Sequence, residues 1–130
     1  MILGPERFTE QAQESLNNSQ LILNRYRHNQ WDCEHILMAL IEQEKGVPAE
    51  ILNELGVNIE VFHARFHNML ENSQKTGGIA EQIYQTPRLE DLLLKAEAEA
   101  DRLNDEFIGS EHLLIGLTQE EHGEVAEVLS

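Results

Sequence analysis

The sequence predicts an all-α fold: a compact bundle of about seven to eight helices built from two repeats related by a pseudo-twofold axis. Two observations carry this. Cys33-Glu34-His35-Ile36-Leu37 reappears 77 residues later as Ser110-Glu111-His112-Leu113-Leu114. The same offset pairs Thr9 with Thr86, Leu16 with Leu93, Arg25 with Arg102, Leu40 with Leu117, Gly46 with Gly123, Ala49 with Ala126 and Leu52 with Leu129, without a gap. Self-similarity at one fixed period marks a duplicated structural unit. The pairing also extends to helical periodicity, whereas no stretch alternates apolar and polar residues long enough to argue a strand.

The first helix places Phe8, Ala12, Leu16, Ser19, Leu23 and Tyr26 at spacings of three and four, one face of a helix, with Thr9 as a suitable N-cap. The second opens at Asp32-Cys33, where a short polar side chain can accept an orphan N–H; Cys33 itself suits a capping role. Ile36, Leu37, Leu40 and Ile41 form its inward face, and Gly46 punctuates its end. Pro48 starts a short third helix from Ala49 to Leu55, stopped by Gly56. Asn58 caps a fourth, with Ile59, Phe62, Phe66, Met69 and Leu70 on one side.

Residues 72–85 include Lys75-Thr76-Gly77-Gly78, hold no sustained period and read as a linker. The second copy then begins at Thr86, with Pro87 where a first helical position tolerates proline. Its apolar face is Leu89, Leu93, Ala96, Ala100 and Leu103, and its next helix opens at Gly109-Ser110. The expected organisation is one domain over 1–130: repeat one 8–71, linker 72–85, repeat two 86–130. Copy two reaches Ser130 opposite Asn53, before any counterpart of Gly56 or the fourth helix, so the chain is expected to open a longer protein.

Lys and Arg number 9 against 24 Asp and Glu, a formal charge of −15. Such a field repels phosphate backbones and anionic membranes, which argues against nucleic acid or a membrane as partner and favours basic segments of other proteins. A single cysteine, Cys33, excludes an internal disulfide and fits the cytoplasm. The start, Met1-Ile2-Leu3-Gly4-Pro5, lacks a signal-peptide pattern, and no apolar run approaches the ~20 residues that span a bilayer.

No catalytic or metal site is predicted. His63 and His67 have the i, i+4 spacing of two metal ligands, but Ala64-Arg65-Phe66 between them supplies a cation and no glutamate, so they read as a solvated helix flank. His35 and His112, next to buried rows, read as packed or capping histidines. Lys75-Thr76-Gly77-Gly78 has the wrong order for a phosphate cradle, so this chain is expected to bind no ATP. Acidic runs such as Glu97-Ala98-Glu99 and Glu120-Glu121 read as solvated faces.

Taken in order, Phe8-Thr9-Glu10-Gln11-Ala12, Glu34-His35-Ile36-Leu37 with Ala39-Leu40, Leu55-Gly56-Val57, Thr86-Pro87-Arg88 and Gly109-Ser110-Glu111-His112-Leu113-Leu114 resemble the repeated N domain of the ClpB and ClpC unfoldases. The resemblance covers nearly the whole chain. It implies a helical domain ahead of AAA+ ATPase rings, monomeric itself on a hexameric parent, that receives unfolded or marked clients, or adaptors, in protein quality control and stress response. It also implies acidic pockets for a phosphoarginine mark, in which Glu34 and Glu111 receive the guanidinium and Thr9 and Thr86 help hold the phosphate. The chemistry is coherent, because a guanidinium suits a carboxylate in bidentate geometry and a phosphate suits helix N-terminal N–H groups. Without the resemblance, the same glutamates read as first-turn partners of the helix dipole, and the threonines as plain caps. Cys33, where the family often has threonine, and residues 27–32 depart from the pattern. The competing reading is a stand-alone interaction or regulatory protein with this fold and no ATPase ring.

Overall fold

Thr9 and Thr86 cap equivalent helices in the same way: Thr9 Oγ1 accepts the Ala12 N–H at 3.1 Å, and Thr86 Oγ1 accepts the Leu89 N–H at 3.1 Å. Each bond satisfies one of the orphan donors of a helix start. The computed structural model describes residues 4–43, 45–73, 75 and 82–119. After a 3₁₀ turn at Pro5–Arg7 come α1 (Glu10–Arg25), β1 (Gln30–Trp31), α2 (Cys33–Glu42), α3 (Val47–Glu54), α4 (Ile59–Glu71), β2 (Tyr84–Gln85), α5 (Pro87–Arg102) and α6 (Ser110–Thr118).

The fold is helical in two related halves, as expected. The bounds of α5 are those of α1 shifted by 77, and even the turns agree, since Arg27 and its mate Asn104 share left-handed φ values of 59° and 60°. Six α-helices lie among the described residues, fewer than the seven to eight expected; the third helix expected in copy two, near Ala126 and Leu129, falls outside them. Gly123 and Glu120-Glu121 also fall outside, as does most of the linker.

One correction concerns strands. β1 and β2 pair in parallel, Gln30 with Tyr84 and Trp31 with Gln85, so the end of the expected linker is ordered by pairing with repeat one. A two-residue strand is too short for alternation to register in sequence. A parallel bridge between Phe8 and Ile108 is its mate under the offset, because Phe8 matches Gln85 and Ile108 matches Trp31. Thus the lead into each repeat's first helix is bonded to the lead into the other repeat's second helix. The bonds Thr9 N–H to Ile108 O, 3.0 Å, and Thr86 N–H to Trp31 O, 3.1 Å, repeat the exchange.

The core centres on α2, which is buried from Cys33 to Ile41 except at Glu34. A helix apolar all round belongs inside. Ala12, Leu16 and Leu23 of α1 and Leu89, Leu93, Ala96 and Ala100 of α5 pack into the same core, each at most 4% exposed. Leu103, expected on that face, is 45% exposed. Its mate Tyr26 is buried and bonded to His67 of α4, a helix with no counterpart in repeat two among the described residues. Pro48 and Gly56 bracket α3 as expected, and Gly56 takes φ +84°, which favours glycine. No helix among the described residues is long and apolar enough to cross a membrane.

Candidate functional site

The exchange between leads puts the start of α5 beside the start of α2, and the start of α1 beside the start of α6. The threonine of one repeat therefore meets the second-helix start of the other repeat, not that of its own. Two sites result, related by the pseudo-twofold axis.

The first holds Asp32, Glu34, Thr86 and Arg88. Asp32 Oδ1 accepts the Cys33 N–H at 2.7 Å and the Thr86 hydroxyl at 2.9 Å, so one carboxylate oxygen joins the two helix caps. Asp32 Oδ2 receives Arg88 Nη1 at 3.0 Å, and Glu34 Oε1 receives Arg88 Nη2 at 3.0 Å. The guanidinium fork thus bridges two carboxylates through two charge-assisted hydrogen bonds. Burial pushes the Glu34 carboxyl above its ordinary range and the charge of Asp32 adds to this, while Arg88 opposes both. The cap of α2 is Asp32, and Cys33 is 1% exposed in the core, which corrects the capping role expected of Cys33.

Beneath this site lies a cleft of about 620 Å³ lined by His28, His35, Asp32, Glu34, Lys75 and Arg88, among others. Its floor is a hydrogen-bonded series. The Asp32 N–H donates to His35 Nδ1 at 3.0 Å, His35 Nε2 lies 2.9 Å from His28 Nδ1, and His28 Nε2 lies 3.0 Å from Leu70 O.

The second site holds Thr9, Gln11, Ser110 and Glu111. The Ser110 hydroxyl donates to Gln11 Oε1 at 3.2 Å, linking the starts of α6 and α1. Gly109 replaces Asp32, so no side chain caps α6. The Glu111 carboxylate folds back over Gly109, where an added Cβ would meet Oε1 at 2.4 Å. His112 keeps the role of His35: Nδ1 accepts the Gly109 N–H at 2.8 Å, and Nε2 reaches Asp105 Oδ2 at 2.9 Å. Both histidines are packed and capping, as expected.

His63 and His67 lie on a solvent-facing flank of α4, as expected, and each also makes one bond to another helix. His63 Nε2 bonds Glu42 Oε2 at 2.9 Å and His67 bonds the Tyr26 hydroxyl, tying α4 to α2 and to the end of α1. The acidic run at Glu97 and Glu99 is partly covered and ion-paired with Arg7 and Arg102. Sequence reasoning gave no role to Arg88, Asp32 or Gln11 in the sites. The available signal was the offset itself, which sets Arg88 against Gln11 and Asp32 against Gly109.

A two-repeat helical body with paired polar sites at its inter-repeat seams defines a class of duplicated helical domain. Residues 7–130 match the model of the Clp repeat (R) N-terminal domain, and the chain belongs to that family. It is 34% identical over 117 residues to chaperone protein ClpB 1 of Synechocystis sp., covering 90% of this chain and 13% of that protein. It is 33% identical over 124 residues to the negative regulator of genetic competence ClpC/MecB of Bacillus subtilis, covering 95% and 15%. The chain thus spans about one seventh of the length of these relatives. In fold it is similar to the N-terminal domain of the ClpV1 ATPase of E. coli, with a TM-score of 0.83, 21% identity, and coverage of 96% of this chain and 78% of that one. It is also similar to a ClpV N-domain solved in complex with a VipB peptide, with a TM-score of 0.70, 18% identity, and coverage of 88% and 69%.

Proposed function

We propose that this chain is the client- or adaptor-capture domain of an ATP-dependent Clp unfoldase, of the ClpB disaggregase or ClpC protease-associated type. It works in cytoplasmic protein quality control and stress response, and performs no catalysis itself. ATP is bound and hydrolysed by the parent's own ring, a hexamer, to which this domain is attached as a monomeric module. Arginine-bearing or arginine-marked segments of unfolded proteins engage Glu34 and Glu111, with Thr86 and Thr9 beside the phosphate of a marked arginine.

The observation that carries this reading is the fork of Arg88 on Glu34 and Asp32, because it displays the carboxylate arrangement a guanidinium requires. A charge of −15 favours encounter with basic segments. The peptide complex of the ClpV N-domain supports protein segments as the ligand class for this fold.

The test is a titration of the domain with phosphoarginine and with a permanently unfolded model protein, repeated on the double variant Glu34→Gln/Glu111→Gln. Loss of about one charge-assisted bond per site weakens binding roughly tenfold or more. Unchanged affinity of the double variant for both ligands contradicts the carboxylate roles.

A further inference from the structure

We infer that the two sites are unequal: the chain's own Arg88 occupies the guanidinium seat at Glu34, and the arginine of another protein enters at Glu111. The inference rests on the proposed reading of these carboxylates as guanidinium receptors. It narrows that reading, since of the two carboxylates only Glu111 is open to the arginine of another protein.

At the first site both acids are engaged. Arg88 makes contacts of 3.0 Å to each carboxylate and a further one of 3.5 Å to Glu34 Oε2. The side chains of Asp32 and Glu34 are only 21% and 12% exposed, so little of either carboxylate faces solvent. Thr86 fixes Asp32 from the other side at 2.9 Å, which holds the receiving oxygens in register for the fork. A guanidinium supplied from the same chain competes at an effective concentration on the order of millimolar or more, so a weak external arginine does not displace it.

The second site has the same plan without the internal ligand. The position matching Arg88 is Gln11, a neutral amide already bonded to Ser110. The position matching Asp32 is Gly109, which removes one acid and leaves room for the Glu111 carboxylate to lie over the helix start. Glu111 is 41% exposed at its side chain, and among the described residues no lysine or arginine pairs with it. Its nearest basic group is His112 Nδ1 at 3.8 Å, a nitrogen that already accepts the Gly109 N–H and therefore carries no proton to offer. An arginine reaching this site finds a carboxylate with both oxygens available and neutral hydrogen-bonding neighbours.

The difference is read by calorimetric titration with phosphoarginine and with a short peptide bearing one unmodified arginine. Wild type binds one equivalent; Glu111→Gln loses at least tenfold in affinity, while Glu34→Gln leaves the Glu111 affinity unchanged. Arg88→Gln binds two equivalents, and the added one disappears in Arg88→Gln/Glu34→Gln. Folding of each variant is checked by its thermal transition. As a second measurement, the Arg88 side-chain Nε–H resonance in wild type stays unshifted at ligand saturation. Two equivalents in wild type with no change in Arg88→Gln, or a displaced Arg88 resonance, overturns the inference and leaves the proposed function standing. No binding by any form overturns both.

Discussion

His35 accepts the Asp32 N–H at Nδ1, so its own proton sits on Nε2 and points to His28 Nδ1; His28 in turn carries its proton on Nε2, toward Leu70 O. The network thus assigns both tautomers and keeps both rings neutral. A second proton on either ring would need a nitrogen that is already accepting. Burial, followed by the neighbouring His28, holds His35 down to about 4, and burial also lowers His28. The sign follows from linkage: between the ordinary histidine pKa near 6.5 and about 4, the unfolded chain binds protons that the folded one refuses, so stability falls as pH falls through this window. The loss from His35 approaches about 3 kcal/mol at the acid end. Glu34, with its carboxyl raised, works in the opposite direction, so the variant comparison isolates the histidine. Asparagine at position 35 can present its oxygen where Nδ1 stands, keeping the bond to Asp32 but not the proton site. Urea midpoints at pH 7.5 and 5 should therefore diverge more in wild type than in His35→Asn; equal divergence contradicts the assignment. In repeat two Asp105 stands in place of His28 and accepts from His112, so the two halves solve one hydrogen-bonding problem with different partners.

At the scale of elements, α2 is the axis on which the other helices pack. Leu37, fully buried, has no exposed side to relax into, so Leu37→Ala costs about 2–5 kcal/mol, measured by urea unfolding. Thr9→Ala removes a helix cap, a loss of about 1 kcal/mol. Thr86→Ala removes the cap and also the bond to Asp32, so it lowers the melting temperature further; the reverse order contradicts the structural difference between the sites. Gly116 of α6 lies close to α5, where an added Cβ would meet Leu92 Cδ1 at 2.8 Å and Leu92 O at 3.3 Å. Its mate in repeat one is Ala39, which holds a methyl group in the core, so the second helix pair is the tighter one. Gly116→Val is expected to destabilise by about 1–3 kcal/mol through overpacking, and a neutral effect on thermal unfolding contradicts this contact.

For the whole molecule, helices and caps were legible because each depends on residues three or four apart, and the duplication was legible because the offset holds without a gap. Thr9, Thr86 and Asp32 therefore fell at helix starts as read. The exchange of leads between repeats was not legible, because it is carried by backbone pairs at Trp31–Gln85 and Phe8–Ile108 that leave no pattern in side chains. That same exchange decides the sites. Glu34 and Thr9 share a repeat, yet the fold sets the start of α2 beside Thr86 and Arg88 of the other. The solvated flank of His63 and His67 was legible, but their partners Glu42 and Tyr26 were not, since these lie on other helices.

The central claim is that each binding site is assembled from both repeats. Amide shift mapping during titration of the ¹⁵N-labelled domain with phosphoarginine tests it directly. The account predicts that one saturable event perturbs Thr9 and Gln11 together with Ser110, Glu111 and His112. Perturbations confined to residues of a single repeat, or scattered away from both helix starts, would contradict it.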